Sequence, residues 1–280
     1  MRFMDLPEKW TGKDSNVFIL PIEYEKDVTW GTGADKGPNE ILKCSYHLEP
    51  YDEQFNIDPY EEGIHLLNPL KFTDETAENA IEKISEEVCK YKDKFLISVG
   101  GDHAVSIGVV NEMEGDFSVL VLDAHADLKD SWEGSKLHHS CISKRVSEKH
   151  DIGIIGVRSM DLDEHELVDN ENIRVLKSYD YTEEKVDEMI SKLKDKVYLS
   201  IDVDVFDPSF IRNTGTPEPD GLQWKQVIYI LQKLFEKKKV IGCDVVEFSP
   251  KYNFEAEAFA LAKLIYKIVG LYKMSKTQTI

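Results

Sequence analysis

Six short runs of aliphatic and β-branched residues punctuate the chain: VFILPI (17–22), FLISVG (95–100), SVLVLD (118–123), IGIIGV (152–157), VYLSIDV (197–203) and VIGCDVV (240–246). Each is too short for a core helix and apolar at consecutive positions, the pattern of a strand buried on both faces. Between them, apolar residues recur with helical spacing from Asp74 to Tyr91, Ala104 to Met113, Tyr181 to Leu193, Gln223 to Phe235 and Phe254 to about Tyr272, which predicts helices there. Strand followed by helix, repeated, predicts a three-layer α/β/α fold in which a mostly parallel sheet carries helices on both faces. Breaker-rich segments at 31–39, 50–70, 128–136 and 211–222 read as loops, and in such sheets ligands gather at the loops that follow strand C-termini. The final SKTQTI (275–280) is expected to fray.

At 280 residues, with 41% hydrophobic and 31% charged residues, the chain is expected to form one domain over 1–280 with a substantial core. The formal charge of −19 argues against nucleic acid or an anionic membrane as partner and suits a cationic ligand. Cys44, Cys89, Cys141 and Cys243 are scattered without a C-x-x-C pair, so neither a zinc ribbon nor a disulfide scaffold is indicated. Neither export nor membrane spanning is expected, since MRFMDLPEKW has no apolar h-region and no apolar run is long enough to span a bilayer, and the expected compartment is the cytoplasm.

Chemistry concentrates at three strand ends. Asp123-Ala124-His125-Ala126-Asp127 leaves the strand SVLVLD, and in extended backbone side chains at i, i+2 and i+4 project to one side. Asp202-Val203-Asp204 repeats the device at the end of VYLSIDV, and FLISVG runs through Gly100-Gly101-Asp102 into His103. Two histidines and four aspartates (His103, Asp123, His125, Asp127, Asp202, Asp204) would repel strongly without cations, and Lys129 and Arg158 are the obvious positive side chains nearby. Six ligands exceed one tetrahedral site and suit two ions roughly 3.5–4 Å apart. Oxygen-rich donors with one imidazole per ion favour Mn²⁺, with other divalent metals competing.

These motifs, GGDH (100–103), DAHAD (123–127) and SIDVDVFDPSF (200–210), resemble the signatures of the arginase/agmatinase/formiminoglutamase family. The resemblance implies two manganese ions per subunit, one held by His103, Asp123, Asp127 and Asp202 and the other by His125, Asp123, Asp202 and Asp204. It further implies a bridging hydroxide that attacks the guanidinium carbon, since coordination lowers the pKa of water from about 15.7 to about 7. In CDVVEFSP (243–250), Glu247 corresponds to the glutamate that receives the guanidinium, with Ser249 where the family usually has Asn. Within KLHHSC (136–141), His139 is taken as the proton shuttle and His138 as its competitor. Asp127 and Glu247 are counted with His139 as catalytic. A trimeric or hexameric homo-oligomer is expected from the same resemblance.

The loop Leu128 to Lys136 has no Asn to clamp an α-carboxylate and resembles that of agmatinases, continued by His139, Cys141, Lys144 and Arg145. Agmatine, hydrolysed to putrescine and urea in polyamine synthesis, is therefore the expected substrate, with Asp130, Glu133 or Asp161 facing its distal amine. An inward-facing Lys129 would instead favour guanidinobutyrate or formiminoglutamate; arginine and aminopropylagmatine are further alternatives. Two other classes stand beside this reading. One is a single-zinc deacetylase of related architecture, against which the full set His103, Asp127 and Asp204 argues. The other is a metal-binding scaffold without turnover.

Overall fold

The computed structural model describes every residue except 169, 171, 252 and 278–280. Its strands are β1 (Val17–Glu23), β2 (Ile64–Leu66), β3 (Leu70–Lys71), β4 (Phe95–Gly100), β5 (Ser118–Leu122), β6 (Asp151–Val157), β7 (Ile173–Lys177), β8 (Lys196–Asp202) and β9 (Lys239–Val246). Its α-helices are α1 (Gly37–Cys44), α2 (Ala77–Val88), α3 (Val105–Val110), α4 (Ile142–Ser147), α5 (Leu162–His165), α6 (Glu183–Lys192), α7 (Trp224–Lys237) and α8 (Glu255–Thr277).

The nine strands form one sheet in the order β2-β1-β4-β9-β8-β5-β6-β7, with β3 also pairing β1, and every ladder between these strands is parallel. The six apolar runs are six of these strands, and β4, β5 and the inner positions of β8 and β9 are buried on both faces, as continuous apolarity requires. One face packs on α1, α6, α7 and α8 through residues such as Ile41, Ile190, Leu231 and Leu261. The other packs on α2, α3 and α4 through Ile84, Val109 and Ile142. The three-layer expectation is thus borne out, with a sheet wholly rather than mostly parallel.

β2, β3 and β7 were not anticipated. β2 and β3 are three and two residues long, too short for a period to show, and β7 reads IRVLK with its charges on a sheet edge. α1 starts inside a segment read as breakers: Gly37-Pro38 opens its first turn, where the missing proline N–H costs nothing. α8 runs through Thr277, so Ser275 to Thr277 are helical rather than frayed, and residues 278–280 lie outside the described residues.

Connectivity places the site. β4 and β5 are consecutive in the chain yet separated in the sheet by β9 and β8, which return late from the far edge. The C-terminal ends of β4, β9, β8 and β5 therefore lie side by side, at the kind of crevice where open α/β sheets bind ligands.

Candidate active site

The loops after these four central strands bring His103, Glu247, Asp202, Asp204, Asp123, His125 and Asp127 to one cavity of about 280 Å³, which most of them line directly. His103 Nδ1 lies 3.2 Å from Asp123 Oδ2, 3.4 Å from Asp127 Oδ2 and 3.2 Å from Asp202 Oδ2. His125 Nδ1 lies 2.9 Å from Asp204 Oδ2 and 3.6 Å from Asp123 Oδ1. Asp123 thus stands between the two imidazoles, and potential ligand atoms of His103–Asp123–Asp127 and of Asp123–His125–Asp204 lie within 4.8 Å of one another in each set.

Three of the carboxylates share one arrangement. Asp123 Oδ1 accepts the His125 N–H at 2.6 Å, Asp202 Oδ1 the Asp204 N–H at 2.9 Å, and Asp204 Oδ1 the Ala124 N–H at 2.9 Å. One oxygen of each is fixed to backbone and the other turns inward, a preorganisation that suits binding more than packing. Asp127 reaches the cluster through a left-handed backbone (φ 52°), a costly conformation for a non-glycine residue.

The fit to metal is tested by what the donors do unaided. His103 Nδ1 and Asp123 Oδ2 are buried and make no hydrogen bond of good geometry, an expense that a cation between them removes. Burial alone would depress the His103 pKa, but Asp123, Asp127 and Asp202 drive it well above the ordinary value. The same contest, with Asp204 as the largest opposing charge, pushes His125 up to about 12. Burial, then repulsion from Asp204 and Asp123, raises Asp202 well above the carboxylate range. Burial and Asp123 bring Asp127 up to about 6. A cluster that holds itself together with protons is one in which divalent cations can displace them. The donors therefore fit a metal centre.

Neither expected counter-cation serves the aspartates. Arg158 donates to the carbonyls of Gly156, Asp204, Phe206, Glu218 and Pro219, stapling loops together. Lys129 pairs with Asp161 and lies 4.6 Å over the Trp132 ring.

Adjoining the cluster, His139, Asp102 and Glu247 form a second group. His139 Nε2 lies 3.0 Å from Thr29 Oγ1, and its Nδ1 lies 3.6 Å from Asp102 Oδ2. Against the depressing effect of burial, Asp102 lifts its pKa to about 9. His138 points elsewhere: Nε2 donates to the Asp27 carbonyl at 2.8 Å, Nδ1 accepts the Ser140 N–H at 3.2 Å, and burial lowers its pKa. Half-buried Glu247 also has a left-handed backbone (φ 67°); Oε1 accepts the His103 N–H at 2.6 Å, and its own N–H donates to Gly101 O at 2.7 Å. Gly101 is needed here, since a Cβ would fall 2.1 Å from Tyr24 O.

Of the acids assigned to the substrate tail, Asp161 lines the cavity but is held by Lys129. Asp130 does not line it: its carboxylate is drawn away by Arg145 at 2.7 Å and Lys136 at 3.3 Å. Sequence reasoning also passed over the support of His103, whose Nε2 lies 2.9 Å from Ser200 Oγ, which donates to Asp244 Oδ1 at 2.6 Å; Tyr198 donates to Asp244 Oδ2 at 2.7 Å. Tyr198, Ser200 and Asp202 share one face of β8, so the period of two could have revealed them. Asp102, inside GGDH, and Thr29 carried no such signal.

Ser249 keeps a structural role where the family usually has Asn, donating from Oγ to the Thr32 carbonyl at 2.9 Å.

The Arginase family profile matches residues 15–270. The N(1)-aminopropylagmatine ureohydrolase of Thermus thermophilus is 36% identical over 267 residues, spanning 92% of this chain and 91% of that protein. The agmatinase of Pyrococcus horikoshii is 33% identical, spanning 92% and 93%. Among solved structures, the agmatine ureohydrolase of Thermoplasma volcanium superposes with a TM-score of 0.88 at 27% identity, covering 95% of this chain and 93% of that one. The family profile, the identities along most of the chain and the superposed fold agree, and the chain belongs to the arginase family of ureohydrolases.

Proposed function

We propose that this ureohydrolase releases urea from agmatine, leaving putrescine. The observation that carries the reading is the paired His/Asp cluster sharing Asp123 in a cavity that is also lined by Glu247 and His139. We assign His103, Asp123, Asp127 and Asp202 to one divalent ion and His125, Asp123, Asp202 and Asp204 to a second, manganese in both positions. When bound, such ions supply Lewis acidity and make water a competent nucleophile near neutral pH.

The chain's own groups do the rest. Glu247 receives the planar guanidinium through charge-assisted hydrogen bonds and presents its carbon to the cluster. His139, kept protonated by Asp102 and oriented by Thr29, delivers a proton to the departing amine nitrogen. Protonation of that nitrogen is what lets the C–N bond break toward urea. The Lys129–Asp161 pair leaves Lys129 committed rather than free to hold a substrate carboxylate, which supports a cationic tail.

A second reading, N1-aminopropylagmatine as the substrate, is favoured by the relatives of that name and preserves every role above. A single domain acting in the cytoplasm as a homo-oligomer, trimeric or hexameric, belongs to the same proposal. Manganese-loaded protein would be offered agmatine, N1-aminopropylagmatine, arginine, guanidinobutyrate and formiminoglutamate, with urea or formamide assayed. Urea from a carboxylate-free guanidine, lost in His103→Ala, is the expected result; turnover of carboxylated substrates alone would overturn the assignment.

A further inference from the structure

The acids around the cavity mouth differ in what already occupies them. Asp161 is paired by Lys129, and Asp130 lies off the cavity with Arg145 and Lys136. Glu164 is buried and spends both oxygens on backbone, Oε1 accepting the Leu128 N–H at 2.8 Å and Oε2 the Asp161 N–H at 2.8 Å. Glu218 also lines the cavity, and among the described residues the hydrogen bonds it makes run to its backbone carbonyl, with no donor or cation on its carboxylate.

Its backbone, by contrast, is tightly held. Arg158 donates to Glu218 O from Nη2 at 2.9 Å and from Nε at 3.2 Å, while the same Nη2 reaches Asp204 O at 2.7 Å. One guanidinium thus ties Glu218 to the strand end that carries Asp204. A fixed main chain with an uncommitted acid facing a cavity is how a recognition residue is built. Trp30 lies on the adjoining loop: it lines the same cavity, is 71% exposed and has no ring or cation partner among the described residues. Gly215 joins the two loops. A Cβ there would lie 3.1 Å from Trp30 O and 3.8 Å from Glu247 Oε2, so its bare backbone keeps one wall continuous from the guanidinium carboxylate to the mouth.

Building on the proposed cationic substrate, we infer that Glu218, with Trp30 lining the same cavity, is the subsite for the substrate's distal ammonium and selects a positively charged tail. A carboxylate and an aromatic face are complementary to an alkylammonium through a charge-assisted hydrogen bond and a cation–π contact. A tail bearing a carboxylate meets like charge at the same place.

The test compares kcat/KM for agmatine with that for 1-butylguanidine, which has the same chain and no distal charge, in the manganese-loaded enzyme. In Glu218→Gln the agmatine-to-butylguanidine ratio is expected to fall about tenfold, the size of one charge-assisted hydrogen bond, mainly through KM. Glu218→Lys should move preference toward 4-guanidinobutyrate. An unchanged ratio in both variants overturns the inference and leaves the proposed function standing. Equal loss of both substrates makes Glu218 structural and overturns it as well. If the unmodified enzyme releases urea from no cationic-tailed guanidine, the proposed function itself fails.

Discussion

His103 Nδ1 faces Asp123 Oδ2 at 3.2 Å, both buried, and neither satisfies the other with a well-formed hydrogen bond. Two such atoms left without partners destabilise the fold, and a cation between them reverses that sign.

Metal binding should therefore register in stability as well as turnover. At about a hundredfold excess over Kd a bound ion contributes ~2.7 kcal/mol, several degrees of Tm at this chain length. Differential scanning fluorimetry before and after chelation, with manganese restored, should show that rise in the parent chain and lose it in Asp123→Asn. Coincident melting curves with and without metal would contradict the assignment.

The neighbouring histidines should separate by readout. His139→Asn is expected to lower kcat by about 10²–10⁴ with little change in Tm, as befits a proton donor. His138→Asn, which loses the bond to the Asp27 carbonyl, should cost about 1 kcal/mol of stability and little activity. The reverse pattern in paired kinetics and urea denaturation would exchange their roles.

Glu247 gives a prediction with a sign in pH. Burial, then repulsion from Asp102, raises its carboxyl from the ordinary 4.5 to about 8. An acid whose folded pKa lies above its unfolded value weakens the fold as pH rises through that interval, because only the unfolded chain can ionise freely. Glu247→Gln, which cannot ionise, should gain stability over the parent in metal-free protein between pH 4.5 and about 8, while urea release collapses. Thermal melts across that range would reveal no widening gap if the carboxylate were solvated.

Away from the cavity, Lys267 on α8 and Asp52 form a buried ion pair with Nζ–O distances of 3.0 and 2.9 Å, and Asp52 Oδ1 also accepts the Gln54 and Phe55 N–H groups. Lys267→Met strands that carboxylate and should cost about 3–5 kcal/mol in chemical denaturation. Kinetics measured well below the new melting point should be unchanged, since neither residue lines the cavity.

How much of this was legible beforehand follows from the range of each interaction. Apolar runs and their spacing gave six strands and the alternation of layers, because strand and helix periodicity are properties of local backbone. Asp123, His125 and Asp127, like Asp202 and Asp204, could be placed at strand ends for the same reason. That β9 and β8 insert between β4 and β5, putting Glu247 against His103 across 144 positions, is settled only when helices cover both faces of the sheet. The fates of charged loop residues were equally out of reach. Lys129 turning to Asp161, Asp130 to Arg145, Arg158 to carbonyls and His138 to Asp27 depend on which loops meet. Local sequence thus determined which ligand types stand at which strand ends; tertiary structure decided which charges were already answered and which, like Glu218, were left facing the cavity, because side-chain pairing is won by proximity in space.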